Sequence, residues 1–500
     1  MTTVLIVGSG PTGLTLACDL ARRGVAVRVI EKTAEFPRTS RAKGPNQRSL
    51  EVLEDIGVTD RIAATGRAGI VMRKYWNGEH AGDTDPFAGS APTPDAPYDR
   101  AYLIAQWELE AILREHMSTY GVSVELGVEL TGFTQDGDGV TAELADGGRI
   151  QASYLVGCDG ARSTVRKLIG GSLTGTTNEE QVMVCGDVEA DGLDRDVWHQ
   201  WFDETGGVML CPIPNTRSGW WFQSGPERTE DGSPVEPSLE SFQRLFARHT
   251  RMPGHTISTA TLLSTYRVNV RMVDRYRNGR VFLAGDAAHV HPIAGGLGMN
   301  TGIQDAANLG WKLGMVATGQ AGEALLETYE EERLPVAANA LEITSERLRA
   351  ALESVSRPGG GLEVVVTKDT SNLGIAYGWS SLSVRSGDGQ LAAGDRAPDA
   401  PCHDAAGTPV RLFEVFAGPH FTLLAFGAAV APSMDDTVRV CRIGPGGLVD
   451  TGGHARGAYG ITGDALVLVR PDNHIALIAS DPSEITAYLD ALTAVTPIGT

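Results

Sequence analysis

Val4-Leu5-Ile6-Val7-Gly8-Ser9-Gly10-Pro11-Thr12-Gly13 is the stretch that decides the fold of this chain. Its four apolar residues predict a buried parallel strand, and the spacing of apolar residues over 11–23 predicts a helix directly after the glycines. A second apolar run, 25–30, ends in Glu31. This order of strand, Gly-x-Gly-x-x-Gly loop, helix, strand and acid is typical of a βαβ unit that binds a dinucleotide.

Each glycine of the 8–13 loop has its own expected task. Gly8 allows the tight turn, Gly10 lets a pyrophosphate approach the backbone, and Gly13 lets helix and strand pack closely. The following helix N-terminus offers free N–H groups to phosphates, and Glu31 can accept from ribose hydroxyls. A plain βαβ turn is the alternative that the loop alone leaves open. The predicted dinucleotide contacts in this unit are Gly8, Gly10, Pro11, Thr12, Gly13, Glu31 and Lys32.

Length, charge and composition restrict the class of protein. The 500 residues suggest about three domains, at roughly 150 residues each. The 42 Lys and Arg against 62 Asp and Glu give a formal charge of -20, so we expect no nucleic-acid or anionic-membrane partner. No apolar run is long enough to span a bilayer. The six cysteines are dispersed and form no Cys-x-x-Cys pair, which argues against a disulfide framework and a metal site and favours a cytoplasmic protein.

The composition and apolar periodicity of the sequence change several times along the chain, which predicts a discontinuous domain organisation. Alternation of strand and helix patterns predicts an α/β fold with a Rossmann-like domain, and the aromatic alternation after residue 174 predicts a β-rich layer. The glycines at 359–361 predict a flexible segment between domains. A last unit of strands and one closing helix follows it. We predict the Rossmann-like domain over 1–73, 100–173 and 267–355, the β-rich layer over 74–99 and 174–266, a linker over 356–393, and the C-terminal domain over 394–500.

Two further motifs resemble those of the class A flavoprotein monooxygenases, the family of para-hydroxybenzoate hydroxylase. Cys158-Asp159-Gly160-Ala161-Arg162-Ser163-Thr164-Val165-Arg166 is similar to the family's Asp-Gly motif, and Arg280-Val281-Phe282-Leu283-Ala284-Gly285-Asp286-Ala287-Ala288-His289 is similar to its Gly-Asp motif. The stretch 292–313 continues the likeness. The resemblance covers most of residues 1–350 and is closest in style to bacterial hydroxylases that tailor aromatic polyketides and other natural products.

The resemblance implies an FAD-binding domain, a β-rich substrate-binding layer and a C-terminal thioredoxin-like domain. An arginine, Arg41 or Arg48, would face the FAD phosphates, because its guanidinium is bidentate. Roles as a helix cap for Asp286 and as a turn acid for Asp159 are the alternatives. Leu297 stands where many relatives carry Gln, which predicts a less polar flavin edge. Beyond the glycine loop, the implied FAD contacts are Arg41, Gln106, Leu130, Asp159, Asp286, Pro292, Gly298, Met299 and Asn300.

The activity that the resemblance implies is hydroxylation of a phenolic or polyketide-like ring in secondary metabolism. The enzyme would use FAD, NADPH or NADH as a transient co-substrate, and dioxygen, through a flavin C4a-hydroperoxide. Its partners would be a small aromatic substrate and dioxygen, and a homo-oligomer is left open. The alternatives are a related flavoprotein that performs epoxidation or Baeyer–Villiger insertion, and a non-catalytic FAD-binding protein that sequesters an intermediate.

The sequence does not identify the group that handles the phenolic proton, which such a reaction requires. Trp220-Trp221-Phe222 could line the substrate or belong to a core. The catalytic residues therefore stay unknown at this level. The candidates for the proton-handling group are His80, Tyr98, Tyr102, His289 and His291.

Overall fold

The computed structural model describes residues 2–384 and 391–493, so residues 385–390 of the predicted linker and 494–500 of the predicted C-terminal domain lie outside it. The chain has a mixed α/β fold with two large sheets and one smaller sheet. Among the described residues, no helix has the length and apolarity needed to cross a bilayer. The helices are α1 (Pro11–Arg22), α2 (Gln47–Ile56), α3 (Thr59–Thr65), α4 (Gln106–Ser118), α5 (Thr164–Leu168), α6 (Leu239–Thr250), α7 (Leu297–Ala317), α8 (Glu327–Val355), α9 (Leu412–Phe416), α10 (His454–Tyr459) and α11 (Pro482–Thr493).

The first sheet contains the predicted βαβ unit. Its strand Thr2–Val7 pairs in parallel with Val27–Glu31 on one side and with Arg149–Gly157 on the other. Helices cover this sheet, so the apolar run 4–7 is buried in its core. In spatial order the strands are Arg277–Asn278, Val281–Leu283, Arg149–Gly157, Thr2–Val7, Val27–Glu31 and Val124–Leu126, while Val140–Leu144 joins Arg149–Gly157 to Leu130–Gln135.

The second sheet is the β-rich layer, and its strands are mostly antiparallel. Two predicted domain limits fall inside its strands, at 73/74 in Val71–Trp76 and at 266/267 in Ile257–Met272. The stretch 78–97 has no apolar periodicity, yet it contributes the edge strand Glu79–Thr84. In spatial order the strands are His289–Val290, Ile257–Met272, Thr174–Ala190, Gly219–Ser224, Gly206–Pro212, Val197–Asp203, Val71–Trp76 and Glu79–Thr84.

The third sheet belongs to the C-terminal unit, and its core is continuous with the rest of the protein. Trp311 of α7 packs edge-on against Phe421 at a ring distance of 5.7 Å. Arg470 and Glu332 form a fully buried ion pair at 2.6 Å across the same boundary. The strands in spatial order are Val438–Ile443, Phe421–Phe426, Ala465–Val469 and Ile475–Ala479; two-stranded pairs form between Pro401–His403 and Pro409–Arg411 and between Arg67–Ala68 and Tyr102–Leu103.

Helix α8 runs through Pro335 without interruption, although a proline there predicts a break or kink. Proline lacks the N–H that would bond the carbonyl oxygen of Glu331 one turn earlier. The indole N–H of Trp379 donates to that oxygen at 3.0 Å. The carbonyl is therefore satisfied by a tertiary contact, which local sequence does not reveal.

All six cysteines are unpaired. Five are buried, and Cys185 is half-buried. Burial raises the pKa of every one of these thiols, to about 12 for Cys18, Cys211 and Cys402 and to about 11 for Cys441. The thiols are therefore protonated near neutral pH.

Candidate functional site

The 8–13 loop is a tightly packed turn with one open side. Gly8 has a φ of 106°, and a Cβ on it would lie 2.4 Å from the carbonyl oxygen of Cys158. A Cβ on Gly13 would lie 2.2 Å from the carbonyl oxygen of Gly8. A Cβ on Gly10, in contrast, would meet no atom of the described residues within 4 Å. Packing therefore requires Gly8 and Gly13, whereas Gly10 keeps the backbone accessible from outside.

Helix N-termini without side-chain caps meet beside this loop. Helix α1 begins after Gly10 and helix α7 after Gly296, and neither cap residue contributes a side-chain hydrogen bond. The two helices pack through Thr12: a Cβ on Gly302 of α7 would lie 2.3 Å from its Oγ1, and one on Gly285 would lie 2.5 Å away. First-turn N–H groups and the positive end of the helix dipole make such N-termini suitable for anionic groups.

Glu31 lies at the rim of the glycine loop. Its carboxylate accepts hydrogen bonds from the backbone N–H of Ser9 at 3.1 Å and from the hydroxyl of Ser9 at 3.2 Å. It also accepts from the N–H of Thr33 at 3.1 Å. Lys32 is exposed. The acid is thus held at the carboxyl end of its strand, where the sequence places it.

Asp159 acts within its own turn. Its carboxylate accepts from the N–H of Thr164 at 2.7 Å, from the N–H of Val165 at 3.1 Å and from the hydroxyl of Ser163 at 2.5 Å. These donors belong to the N-terminus of α5. The structure therefore gives Asp159 the local turn role that the sequence leaves as the alternative.

Arg41, Gln106 and Asp286 come from distant parts of the chain and meet beside the glycine loop. The side-chain oxygen of Gln106 accepts from the backbone N–H of Arg41 at 3.4 Å and of Ala42 at 3.3 Å. The Asp286 carboxylate is accessible to solvent, yet protein surrounds it on most sides, and this burial raises its pKa. The charges of His289 and Arg41 oppose that rise. Arg48, in contrast, is buried and donates to Asp472 of the C-terminal unit.

The residues predicted around the start of α7 serve mainly to position it. Asn300 accepts from the N–H of Asn46 at 2.8 Å and donates to the carbonyl oxygen of Gly296 at 2.7 Å. Leu297, Pro292 and Leu130 are buried, and Gly298 and Met299 are half-buried. The start of α7 is therefore tied to α2, with backbone groups near Gly298 and Met299 left to face a ligand.

The structure separates the five candidates for the proton-handling group. His80 is exposed and pairs with Asp83, and Tyr98 donates to Glu54 at 3.0 Å. Tyr102 is half-buried and packs against the first core. His289 and His291 are buried between the second sheet and α7, with Nε2 of His291 2.8 Å from Nδ1 of His289.

Lys43 is a candidate site residue that the sequence reasoning missed. Its Nζ donates to Oε1 of Gln223 in the second sheet at 2.9 Å and lies 5.2 Å from the ring centroid of Trp198. Burial lowers its pKa. Its position in the sequence could have indicated it, because Lys43 follows Arg41 by two residues and the resemblance places Arg41 beside FAD.

The aromatic run 220–222 divides between the two faces of its strand. Trp220 and Phe222 are fully buried, and Phe222 stacks on Phe242 of α6 at 4.2 Å. Trp221 lies on the opposite face, where its ring centroid is 5.9 Å from Nζ of Lys43. Side chains alternate along a strand, so Trp220 and Phe222 pack under α6, whereas Trp221 is buried on the other face beside Cys211 and Ile213.

This set of residues fits FAD. Gly10 leaves the backbone open at the uncapped start of α1, which suits a pyrophosphate, and Glu31 offers an acceptor for ribose hydroxyls. Arg41 supplies a cation and Asp286 an accessible carboxylate on the same side. The residues present therefore provide partners for the anionic and hydroxyl-bearing parts of the cofactor.

Comparisons with known proteins agree with this geometry. The family model described as "FAD binding domain" matches residues 1–344, and "Aromatic-ring hydroxylase, C-terminal" matches residues 390–496. A flavin-dependent monooxygenase of Mycobacteroides abscessus is 39% identical over 97% of this chain and 99% of its own. The 6-methylpretetramide 4-monooxygenase of Streptomyces rimosus is 35% identical over 98% of this chain and 93% of its own.

The fold agrees with solved structures of the same kind. The crystal structure of aklavinone-11 hydroxylase with FAD and aklavinone superposes with a TM-score of 0.82 at 28% identity, over 98% of this chain and 99% of that one. Both the FAD-binding part and the C-terminal part are thus accounted for. The chain therefore belongs to the FAD-dependent aromatic-ring hydroxylases, the class A flavoprotein monooxygenases, which work with FAD and NAD(P)H.

Proposed function

We propose that this enzyme hydroxylates a phenolic ring of a fused, polyketide-like aromatic compound, with FAD at the 8–13 loop and NADPH or NADH as electron donor. One observation carries this proposal. In the segment 40–44, the backbone N–H of Arg41 donates to Gln106, which opens α4 next to the predicted FAD site. From the same segment, Lys43 donates to Gln223 of the second sheet. The predicted FAD site and the face of the second sheet that carries Trp198 and Trp221 therefore lie next to each other, as oxygen transfer from a flavin to a ring requires.

The proposed roles follow from these contacts. Gly10, the start of α1, Glu31 and Arg41 would bind FAD, and Asp286 would accept from its hydroxyl groups. Bound FAD would supply the transfer of electrons from NAD(P)H to dioxygen and of one oxygen atom to the ring. Trp198 and Trp221 would orient a flat substrate by ring contact. By its name, the Streptomyces rimosus relative acts on 6-methylpretetramide, and aklavinone is the compound bound in the solved structure.

The segment 361–363 covers the far end of the same sheet face and would restrict water there. The backbone N–H of Leu362 donates to Gln200 at 2.9 Å, and Lys74 forms an ion pair with Glu363 at 2.7 Å. Exclusion of water protects a reactive oxygen-transfer site from side reactions. These polar contacts thus cover the end of the sheet at Lys74 and Gln200. The end at Gln223, which Lys43 contacts, would face the predicted FAD site.

We further propose that the C-terminal unit is thioredoxin-like and structural. Its four strands lie in the spatial order second, first, third, fourth, with the first two parallel and the others antiparallel. It has no Cys-x-x-Cys pair, so thiol redox chemistry has no support. Its contacts with Glu332 and Trp311 support a role in holding α7 and α8 in place.

A substrate panel tests the proposed function. The purified yellow protein would be given NADPH or NADH with fused polycyclic phenols, with single-ring phenols and with non-phenolic aromatics of similar size. We expect the fused phenols to stimulate nicotinamide oxidation and to gain one oxygen atom by mass spectrometry, with a new ring hydroxyl by NMR. A lactone or epoxide product would favour the related oxygenations instead. Absence of stimulated oxidation with every phenol would overturn the proposal.

A further inference from the structure

One face of the second sheet collects polar and aromatic side chains beneath the segment 40–44. Trp221 pairs with Cys211 across the ladder, and Gln223 pairs with Met209. Partners in an antiparallel ladder share a face, so these side chains all lie opposite the core under α6. Lys43 reaches this face from the segment 40–44 and bonds Gln223.

Lys43 has few partners for a half-buried amine. Among the described residues it forms no ion pair, and its hydrogen bond to Gln223 uses one of its donors. Asp187 lies in electrostatic range, but that carboxylate accepts from the N–H of Ser40 at 2.7 Å, and burial raises its pKa to about 6. The other titratable groups that face Lys43 are the thiols Cys185 and Cys211, which are protonated.

The two tryptophans beside Lys43 carry unused donors. In the part of the chain that the structure describes, the buried indole N–H groups of Trp198 and Trp221 have no hydrogen-bond partner. A buried donor without a partner is costly, so such groups usually meet a ligand or water. The ring centroids lie 5.2 and 5.9 Å from Nζ of Lys43. The face thus combines flat apolar surfaces with a cation and two N–H donors.

We propose that Lys43, with the indole N–H groups of Trp198 and Trp221, forms the binding site for the deprotonated phenolic oxygen of the substrate. This inference rests on the proposed function and assigns the residue that takes the phenolic proton. A phenolate needs donors and a positive charge at its oxygen and flat apolar contact at its ring, and this face offers both. Hydroxylation of a ring by an electrophilic oxygen is easier for a phenolate than for a phenol.

The proton balance of this step is simple. The phenolic O–H bond breaks and an N–H bond forms on the Lys43 amine, so the bound pair consists of phenolate and ammonium. Burial favours the neutral amine before the substrate arrives, and the anionic oxygen then stabilises the ammonium form. Lys43 would therefore be a catalytic residue that touches the substrate, and no metal or further base is needed.

Binding spectra without turnover test this inference. Alizarin, a dihydroxyanthraquinone whose phenolate absorbs at longer wavelength than its phenol, would be titrated into the full-length holoenzyme in the absence of NAD(P)H. We expect wild type to bind it as the phenolate at a pH where the free dye is still mostly phenol. Lys43→Met should abolish the phenolate spectrum and weaken binding about tenfold or more, and Lys43→Arg should keep part of it.

Matched variants keep the test decisive. Trp221→Phe keeps the ring and removes the N–H, so it should weaken the phenolate spectrum in a folded protein even if the Lys43 variants fold poorly. Lys167→Met removes an exposed lysine of α5, outside this sheet face, and it should leave the spectrum unchanged. Flavin content and circular dichroism would verify folding.

Two results would overturn the inference. One is an equal phenolate spectrum in wild type, Lys43→Met and Trp221→Phe, and the other is a wild type that binds alizarin only as the neutral phenol. Either result would leave the proposed function intact if phenols still stimulate nicotinamide oxidation. Loss of that stimulation with all phenols would instead refute the proposed function.

Discussion

Nε2 of His289 lies 2.7 Å from Oδ2 of Asp305, and both side chains are fully buried. A carboxylate only accepts, so this imidazole nitrogen carries a proton. The other oxygen of Asp305 accepts from Nε of Arg333 at 2.7 Å, and the other nitrogen of His289 meets His291 at 2.8 Å. This chain ties the strand His289–Val290, helix α7 and helix α8 together directly behind Asp286.

We expect Asp305→Asn to destabilise the fold by about 3 to 5 kcal/mol, because it leaves the Arg333 guanidinium buried without a counter-charge. Thermal and urea unfolding of the purified variant would measure the loss. Asp83→Asn is the matched control, since its pair with Arg73 is partly exposed and should matter by about 1 kcal/mol or less. Equal midpoints for the two variants would contradict the assignment of Asp305 as a buried anchor.

Asp286→Ala should weaken retention of FAD, because it removes the accessible carboxylate that we propose accepts a hydrogen bond from the cofactor. The expected loss is about 1.5 to 3 kcal/mol, or roughly tenfold to a hundredfold in affinity. The recovery of flavin fluorescence on dilution would give the dissociation constant. Asp159→Ala serves for comparison, since that acid already accepts from α5 and should affect folding more than cofactor affinity. An unchanged dissociation constant in Asp286→Ala would refute its role.

The glycine loop allows packing and binding to be separated. Gly8→Ala should destabilise the apoprotein, because its φ of 106° is strained for alanine and the new Cβ would meet the carbonyl oxygen of Cys158. Gly10→Val should leave apoprotein stability nearly unchanged and lower FAD affinity, because its side chain would project to the open side of the loop. Unfolding curves without FAD and flavin titrations would test the pair. A Gly10→Val variant that binds FAD normally would place the pyrophosphate elsewhere.

Acid should destabilise the protein partly through His474 at the C-terminal boundary. Burial lowers the pKa of His474 to about 4, although Asp472 opposes the shift. Between about pH 4 and 6.5 the unfolded chain binds a proton that the folded chain does not, so stability falls as the pH falls through this window. The contribution is about 3 kcal/mol. His474→Gln should show a flatter dependence of unfolding free energy on pH than wild type. Parallel curves for wild type and His474→Gln would exclude this contribution.

Removal of the chain from Gly394 onward should harm folding more than chemistry. The truncation takes Arg470 away from Glu332, which keeps only Lys312 as a cationic partner, and it exposes the large apolar side chain of Trp311. Size-exclusion chromatography and circular dichroism would show aggregation or loss of structure. The point variant Arg470→Met in the full chain should reproduce part of the loss of stability. A truncated protein that stays folded but cannot reduce its flavin would contradict this expectation.

Local patterns predicted much of the fold, because they report on local causes. The apolar run 4–7 lies in the strand Thr2–Val7, the run 25–30 overlaps the strand Val27–Glu31, and the helix expected over 11–23 is α1. Charged arginines hide the alternation of the strand Val438–Ile443, so its bounds cannot be derived from the sequence. The edge strand Glu79–Thr84 has little apolar content and so carries no strand pattern either.

The site could be predicted only where a motif supplies it. The glycines, Glu31, Arg41 and Asp286 are predicted from their motifs. The role of Lys43 depends on a contact with Gln223 across 180 residues and on which face of the strand carries Trp221. Such a relationship arises from the register of the second sheet, which a single sequence does not contain.

The cysteines have a practical consequence for an enzyme of this kind. Flavin hydroxylases release hydrogen peroxide whenever oxygen is reduced without a substrate being hydroxylated, and peroxide attacks thiolates rather than thiols. Five of the six thiols are shielded from solvent, and all six are held in the protonated form by raised pKa values. The thiols should therefore resist the hydrogen peroxide that the enzyme itself releases. The protein should keep its activity on storage in air without added reductant.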